Sequence, residues 1–295
     1  MDLMLLTALM IVLFSFQSLF TRLYTASYAG GDVSGATPVF TFCYGFVIAL
    51  ASFIAGGFKF HASSLTWLFG LLNALMLILY NTSMIRAGSL GSYAFMMTSS
   101  LFGGIVVPLI AGILFLKETM TFLQWIAVVL MLTAIVMMNS KGLSLKKNSG
   151  KYYLWCAFLF LSNGLYGLIM KLQSNGLNGA ERTEMLVILF GFSALAAALM
   201  EVLGGRGKRL VNGLGMGAKS AVFLACCCIS AFSAVNLMMY LLTQIQSTGL
   251  LYTMQNGGVL VLSFLYSVLL FKEKPGVIKL GGMALAVASM VMLNI

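Results

Sequence analysis

The stretch Ser92–Glu118 reads SYAFMMTSSLFGGIVVPLIAGILFLKE, and its counterpart 155 residues later, Ser247–Glu273, reads STGLLYTMQNGGVLVLSFLYSVLLFKE. Both copies end in Lys-Glu. The same offset continues without a gap on either side, where it matches Asn81 with Asn236. Matching polar residues are hard to obtain by chance in so apolar a chain, so the sequence predicts an internal repeat.

The composition places the repeat in a membrane. Charged residues make up 8% of the 295 residues and hydrophobic residues 61%, whereas soluble domains carry about 25% and about 45–50%. The mean hydropathy is +1.02. This composition excludes a soluble enzyme, a disordered chain and a nucleic-acid-binding module, and basic membrane loops account for the net charge of +10. The apolar runs are continuous, which excludes a β-barrel. We expect an all-α integral membrane protein whose partner is the lipid bilayer.

A spanning helix needs about 20 mostly apolar residues, and by this measure the sequence predicts ten transmembrane helices. The predicted spans are Leu3–Ala26, Thr37–Ala55, Leu65–Arg86, Ser92–Leu116, Phe122–Asn139, Tyr152–Leu172, Glu184–Leu203, Ala218–Leu242, Gly249–Phe271 and Gly276–Asn294.

The spans divide into two five-helix repeats, residues 1–145 and 146–295, with a polar seam at Lys141–Lys151. An odd number of spans starts the second repeat on the opposite side of the membrane, so the two repeats are inverted. Exchange of conformation between inverted halves converts an outward-open cavity into an inward-open one. The architecture therefore favours an alternating-access transporter.

The turns after the fourth and ninth spans carry a family resemblance. They read LFLKET from Leu114 and LLFKEK from Leu269, with Pro108 inside the fourth span and Gly281-Gly282 after the second turn. In this pattern the chain resembles the drug/metabolite transporter superfamily, in particular its ten-helix EamA-like members. The first repeat departs from the pattern, with Ile126-Ala127 where the second has the glycines. The resemblance implies transport of a small metabolite and leaves the substrate open.

Polar residues near the middle of the spans are candidates for substrate binding. In the family that the chain resembles, helices 1, 3, 4, 6, 8 and 9 line a central cavity, which places these residues near it. Amide, hydroxyl and aromatic groups suit a polar uncharged or zwitterionic solute, or an organic cation held over tyrosine faces. The alternative is that each residue only forms hydrogen bonds between helices. The candidates are Gln17, Tyr80, Asn81, Tyr93, Thr98, Asn163, Tyr166, Asn236, Tyr240, Tyr252, Gln255 and Asn256.

No charge occupies the middle of a span, which disfavours proton antiport through a buried carboxylate. Arg22, Arg86, Lys171 and Glu201 lie near span ends, where we expect their side chains to reach the interface. The two Lys-Glu turns predict capping and charge pairing, with a gate contact as the alternative. No metal-ligand cluster, nucleotide loop or catalytic constellation occurs in the sequence, so we expect neither an enzyme nor a cofactor.

Thirteen Lys and Arg residues adjoin odd-numbered connectors and four adjoin even-numbered ones. The positive-inside rule then predicts that the odd connectors are cytoplasmic and that both termini are outside.

The sequence as a whole predicts a multi-pass protein of the cell membrane, either a monomer or a homodimer. Its predicted function is secondary transport of a small polar metabolite, such as an amino acid or amine-like solute, or of an organic cation, with export as the direction. A non-transporting receptor or scaffold is the alternative, and a channel is a third possibility. We expect the glycine pairs Gly103-Gly104 and Gly257-Gly258 to serve close helix packing, with a dimer interface as the alternative.

Overall fold

The computed structural model of the chain describes residues 3–28, 33–91, 93–139, 149–245, 247–270, 272, 274 and 276–293. The side chains of residues 33–37, 85, 88, 89, 93, 94 and 209 lie outside this description. The described residues form helices joined by short turns, with no strand among them. The prediction of an all-α protein is therefore confirmed.

Ten long helices and one short helix follow one another along the described chain. They are α1 (Leu3–Ser27), α2 (Val33–Ala55), α3 (Ser64–Leu90), α4 (Tyr93–Leu116), α5 (Phe122–Asn139), α6 (Gly150–Gly176), α7 (Arg182–Leu203), α8 (Gly207–Leu214), α9 (Ala218–Gln244), α10 (Thr248–Leu269) and α11 (Val277–Leu293). Each predicted span overlaps one long helix.

Eight of these helices, α1 to α7 and α9, are long and apolar enough to cross a membrane. α10 has 22 residues but a more polar first half, and α11 is apolar with 17 residues. Large apolar side chains in mid-helix face outwards, and Phe46, Val129 and Ile229 are each more than half exposed. An apolar outer surface on long helices is the surface that a bilayer solvates, and it indicates a multi-pass membrane protein.

α8 lies inside Gly204–Lys219, a segment that the sequence suggested only as a glycine-rich basic connector. The helix packs beside α2 and α7, and it exposes Val211 and Leu214. Just before it, Arg206 pairs with Glu201, with 3.3 Å between Nη2 and Oε1. Glu201 is buried at the end of α7, so it does not extend freely into the interface as its position near a span end had suggested.

Glycines let α4 and α6 approach until their backbones touch. A Cβ on Gly103 would lie 2.0 Å from the Phe160 carbonyl oxygen, and one on Gly164 would lie 2.5 Å from the Gly103 carbonyl oxygen. In α10, Gly257 faces Met131 and Gly258 faces Ile11 at similarly short distances. The expectation that the glycine pairs serve close packing within the chain is confirmed.

Helices from the two halves of the chain interlock, and the main contacts run between them. α1 packs against α9 and α10, and α6 packs against α3 and α4. α2 packs against α7, α4 against α10 and α5 against α11. Such interlocking makes one bundle of the two halves, so that the space between them becomes the centre of the molecule.

The turns that follow α4 and α10 share a backbone conformation. Lys117 and Lys272, which are equivalent in the sequence repeat, both adopt left-handed conformations, with φ of 54° and 53°. A left-handed residue is uncommon outside glycine, so its occurrence at both positions reflects a common turn. Glu273, the second acidic residue of the predicted pair, lies outside the described residues.

Candidate functional site

A cavity of about 1050 Å³ lies at the centre of the bundle and receives side chains from every long helix. The largest and equal contributions come from one face of α1 and one face of α10. Both halves of the chain therefore build the same site, because the interlocked helices leave their shared space between the halves.

The cavity reaches the end of the bundle where α1, α5 and α10 finish and α11 begins. α5 and α11 run antiparallel, since Gly282 packs on Met138 near one end of the pair and Ser289 donates a hydrogen bond to the Ala127 carbonyl near the other. Asn139 and Lys279 consequently line the same end of the cavity. This end is called the cavity mouth below.

One wall of the cavity is a hydrogen-bonded group formed by α3, α4 and α6. The Asn163 amide donates to the Ser100 carbonyl at 2.8 Å, and the Ser100 hydroxyl donates to the Tyr80 hydroxyl at 3.5 Å. A Cβ on Gly104 would lie 2.7 Å from Asn163 Nδ2 and 3.2 Å from Asn256 Nδ2, so the absent side chain brings these amides to one place. An amide has two N–H donors and one acceptor oxygen, which makes the group suited to polar solutes.

Tyrosines and further amides line the cavity beside this group. Tyr252 donates its hydroxyl to the Gly167 carbonyl at 3.0 Å, and Asn256 donates to the Tyr252 carbonyl at 2.9 Å. Between α1 and α2, the Gln17 amide donates to the Tyr44 hydroxyl at 2.8 Å. Tyr166 lines the same space. The site therefore combines aromatic faces with amide and hydroxyl groups, a mixture typical of sites for small molecules.

Seven of the twelve sequence-predicted residues line the cavity together, and the other five do not enter its described lining. Thr98 is buried in α4, and Asn236 donates to the Phe232 carbonyl of its own helix. Tyr240 is an exposed residue under the Arg182 guanidinium, and Asn81 is half-buried on α3. The side chain of Tyr93 lies outside the described residues. The lining seven are Gln17, Tyr80, Asn163, Tyr166, Tyr252, Gln255 and Asn256.

The sequence did not single out several lining residues. Tyr44 and Ser100 belong to the hydrogen-bonded walls, while Arg22, Asn139 and Lys279 lie at the mouth. Arg22 had been expected only to reach the interface. For Arg22, Asn139 and Lys279 the available sequence signal is a position near the end of an apolar helix, which does not distinguish a cavity-lining residue from one at the membrane interface.

At the other end, beyond Met170 and Met238, charged side chains close the space between α4, α6, α9 and α10. The Lys171 ammonium donates to the carbonyls of Leu242 and Ile245, at 2.6 and 3.1 Å, where α9 ends. Lys171 is only 4% exposed. The expectation that its side chain reaches the interface is therefore wrong, because carbonyls at a helix C-terminus attract the cation inside the protein.

The Glu118 carboxylate meets the start of α10 at this same end. It accepts hydrogen bonds from the Thr248 backbone N–H at 2.9 Å and from the Thr248 hydroxyl. It also attracts Lys171 electrostatically. An anion at a helix N-terminus and a cation at a helix C-terminus both interact favourably with the helix dipoles. Lys171, Glu118 and Thr248, with the carbonyls of Leu242 and Ile245, are called the closing cluster below.

Glu181 lies outside the membrane-spanning segments, just before α7, and binds the start of α3. Its carboxylate accepts hydrogen bonds from the Ser63 N–H at 2.9 Å and the Ser63 hydroxyl at 2.8 Å. A hydrogen bond from Thr66, together with those from Ser63, lowers the pKa of the Glu181 carboxyl below its usual value. No group of His, Cys, Asp and Glu with the spacing of a metal site occurs among the described residues.

Comparison with known proteins supports the fold. No protein-family model matches this chain, and no curated protein matches it. One solved structure, described only as a crystal structure of a protein, is similar over 99% of this chain and 98% of its own chain, with a TM-score of 0.72. The two chains are 16% identical, so the likeness concerns the fold alone.

Proposed function

We propose that this protein is a secondary carrier that moves a small polar metabolite by alternating access. The observation that carries the proposal is the central cavity, which both halves of the chain build and which has a mouth at one end and the closing cluster at the other. A carrier needs a solute site that opens to one side at a time. A bundle in which charged contacts close one end has that property.

The proposal includes ten transmembrane helices arranged as two inverted five-helix repeats. Two observations support it. The contacts of α1 with α9 and α10 correspond, under exchange of the halves, to those of α6 with α3 and α4. The repeat-related residues Lys117 and Lys272 share a left-handed turn. The resemblance to EamA-like members of the drug/metabolite transporter superfamily is part of the same proposal.

In this proposal the cavity mouth faces the cytoplasm and both termini face outside. The mouth lies at the odd-numbered connectors, which carry most of the basic residues. The structure then represents an inward-open carrier, and export begins with loading from this side. A terminal reporter that is active only in the cytoplasm should stay silent, and strong activity would reverse the assignment.

Counterflow in proteoliposomes tests the function. Vesicles are preloaded with one unlabelled solute from a panel of amino acids, polyamines, quaternary amines, nucleosides, sugars and organic acids, and uptake of the labelled solute is followed. A carrier gives saturable uptake that the internal solute accelerates. Linear flux with single-channel currents would indicate a channel, and no flux across the panel would favour a receptor or scaffold.

A matched pair of variants tests the position of the site. Gln255 lines the cavity, whereas Asn81 does not. A hydrogen bond contributes about 0.5–1.5 kcal/mol, so Gln255→Ala should weaken half-saturation by about 2–12-fold with unchanged folded yield. Asn81→Ala should leave half-saturation unchanged. An equal effect of the two variants would contradict the proposed site.

A further inference from the structure

The short helix α8 lies between α7 and α9, both of which are long and apolar enough to cross a membrane. Ser220 in the first turn of α9 donates a hydrogen bond to the Ser27 carbonyl at the end of α1, at 2.9 Å, so α8 belongs to the end of the bundle with the cavity mouth. Gly213 of α8 faces Val39 so closely that a Cβ would overlap it. Val39 is the second residue of the candidate span Pro38–Ala55. α8 therefore packs on the protein at the depth where a spanning helix begins, which is the level of the lipid headgroups.

α8 presents three strips of residues to three different surroundings. Gly213 faces α2. Val211 and Leu214, three residues apart and so on one strip, are 68% and 50% exposed. Lys208 and Asn212, four residues apart, form a second exposed strip. At about 100° per residue the apolar strip lies between the protein-facing strip and the polar one. This is the arrangement of an amphipathic helix in the plane of a membrane interface, with acyl chains on one side and water on the other.

The apolar strip of α8 continues the outer surface of the spanning helices. Gly207 lies on this strip, and a Cβ there would contact Val202 Cγ2 of α7 at 3.6 Å. Val202 and Leu203 at the end of α7 are each more than half exposed, as is Val222 near the start of α9. The same bilayer that solvates the outer surface of α7 and α9 therefore accounts for the exposed strip of α8 between them.

The connector that contains α8 is basic. Gly204–Lys219 holds four Lys and Arg residues and no acidic one. Arg206, Lys208 and Lys219 are exposed, and Arg206 pairs with Glu201. Long basic side chains at a membrane surface bury their apolar stems and keep their charged ends at the headgroups. The charge and the apolar strip together match an anionic phospholipid, which offers acyl chains and a phosphate at adjacent depths.

Acidic residues at this end of the bundle are too few to neutralise its positive charge. Thirteen Lys and Arg residues adjoin the odd-numbered connectors. The acidic residues that adjoin the same connectors are Asp32, Glu201 and Glu273, of which Asp32 and Glu273 lie outside the described residues. Three carboxylates leave a large positive excess, whichever side chains they pair with. Basic segments next to spanning helices attract anionic lipids for this reason.

We propose that α8 lies in the membrane interface and that Gly204–Lys219 binds the headgroup of an anionic phospholipid. Val211 and Leu214 contact its acyl chains, while the ammonium groups of Lys208 and Lys219 attract its phosphate. The site is separate from the central cavity, and its occupation does not require that the protein be a carrier.

Photocrosslinking in nanodiscs tests this site. The full chain carries p-benzoylphenylalanine in place of Val211, with Leu214 as a second position in case the first variant folds poorly. The nanodiscs contain equal parts of phosphatidylcholine and phosphatidylglycerol with the same acyl chains, and mass spectrometry identifies each lipid adduct. Two control positions carry the same label. Asn212, next to Val211 but on the polar strip, should give no adduct, and Ile229, exposed in the middle of α9, should report the bulk lipid ratio.

The label at Val211 should form lipid adducts that are enriched in phosphatidylglycerol. The enrichment over the ratio at Ile229 should be about fivefold, because one Lys or Arg near a membrane surface contributes about 1 kcal/mol to the attraction of anionic lipid. Lys208→Gln and Lys219→Gln should each lower the enrichment, and Lys208→Arg should retain it. Lys59→Gln is the matched control, since Lys59 is exposed at the opposite end of the bundle.

Several results would overturn the inference. Absence of lipid adducts at Val211, or equal adducts at Val211 and Asn212, would show that the strip does not face acyl chains. A lipid ratio equal to that at Ile229, or an equal loss of enrichment in Lys59→Gln, would show that the connector does not select an anionic headgroup. Cross-links between two copies of the chain instead of lipid adducts would show that a second copy covers the strip. None of these readouts involves transport, so counterflow tests the carrier proposal separately.

Discussion

Lys171→Met is the most direct test of how the closed end of the cavity is stabilised. Methionine is similar in length to lysine and packs well in apolar surroundings, so the variant removes the ammonium with little change in volume. The ammonium donates to two carbonyls, those of Leu242 and Ile245. Hydrogen bonds to charged groups contribute about 1.5–3 kcal/mol each, which gives about 3–6 kcal/mol for the pair.

Two further effects modify this magnitude. The variant also removes the weaker electrostatic attraction between the Lys171 charge and the half-buried Glu118 carboxylate. The new apolar contacts of methionine recover part of the loss. We expect the free energy of unfolding to fall by about 3 kcal/mol.

The assay is equilibrium unfolding of the purified protein in mild detergent with increasing sodium dodecyl sulfate. Lys219→Met is the matched control, since Lys219 is exposed at the start of α9. Glu118→Gln added to Lys171→Met should cost less than Glu118→Gln alone, because the carboxylate has then already lost the cation. A Lys171→Met protein within about 0.5 kcal/mol of Lys219→Met would refute the closing cluster as a source of stability.

Three further predictions concern packing, buried polarity and pH. Gly103→Ala should sharply reduce folded yield, because its Cβ would lie 2.0 Å from the Phe160 carbonyl oxygen. Gly191→Ala is the control and should be tolerated, since its Cβ would have its nearest contact at 3.7 Å. Equal yields of the two variants in fluorescence-detected gel filtration would contradict the close approach of α4 and α6. Asn73 is fully buried, and neither side-chain polar atom has a hydrogen-bond partner among the described residues. Asn73→Leu should therefore raise the free energy of unfolding, measured in detergent, by about 1–3 kcal/mol. A decrease in that free energy would show that the Asn73 amide does have a partner. The pKa of Glu181 is lowered in the folded protein, so its contribution to stability is complete above the ordinary carboxyl pKa and is lost as the pH falls through the folded pKa. The melting temperature of Glu181→Gln should therefore lack this decrease at acid pH. Parallel plots of melting temperature against pH for the parent and the variant would show that the carboxylate does not contribute.

The closing cluster and the repeat show which parts of this protein can be predicted from a single sequence. The Lys-Glu turns were recognised by their offset, and Glu118 does cap a helix, as such a turn suggests. The helix is α10 rather than one adjacent in sequence, and this pairing depends on how α4 packs against α10. Lys171 was placed correctly near a span end, but its carbonyl partners belong to α9.

The predicted site shows the same division. Asn163 and Gln255 line the cavity, whereas the repeat-related Asn81 and Asn236 do not. The predicted repeat matches the last two with each other, and both lie outside the lining. The offset of 155 residues therefore predicted that the two asparagines match each other, and it did not predict whether their side chains face the cavity.

The sequence by itself determined the helical membrane architecture and the approximate limits of the long helices, because length and hydropathy are local properties of the chain; the internal repeat stays a prediction from the spacing. Only the tertiary structure decided which residues face the cavity and which cations lie at its mouth. In a soluble protein an apolar stripe would indicate the buried face of each helix. Here the bilayer and the protein interior are both apolar, so rotation about each helix axis leaves little trace in the sequence and is set by packing at residues such as Gly103 and Gly104.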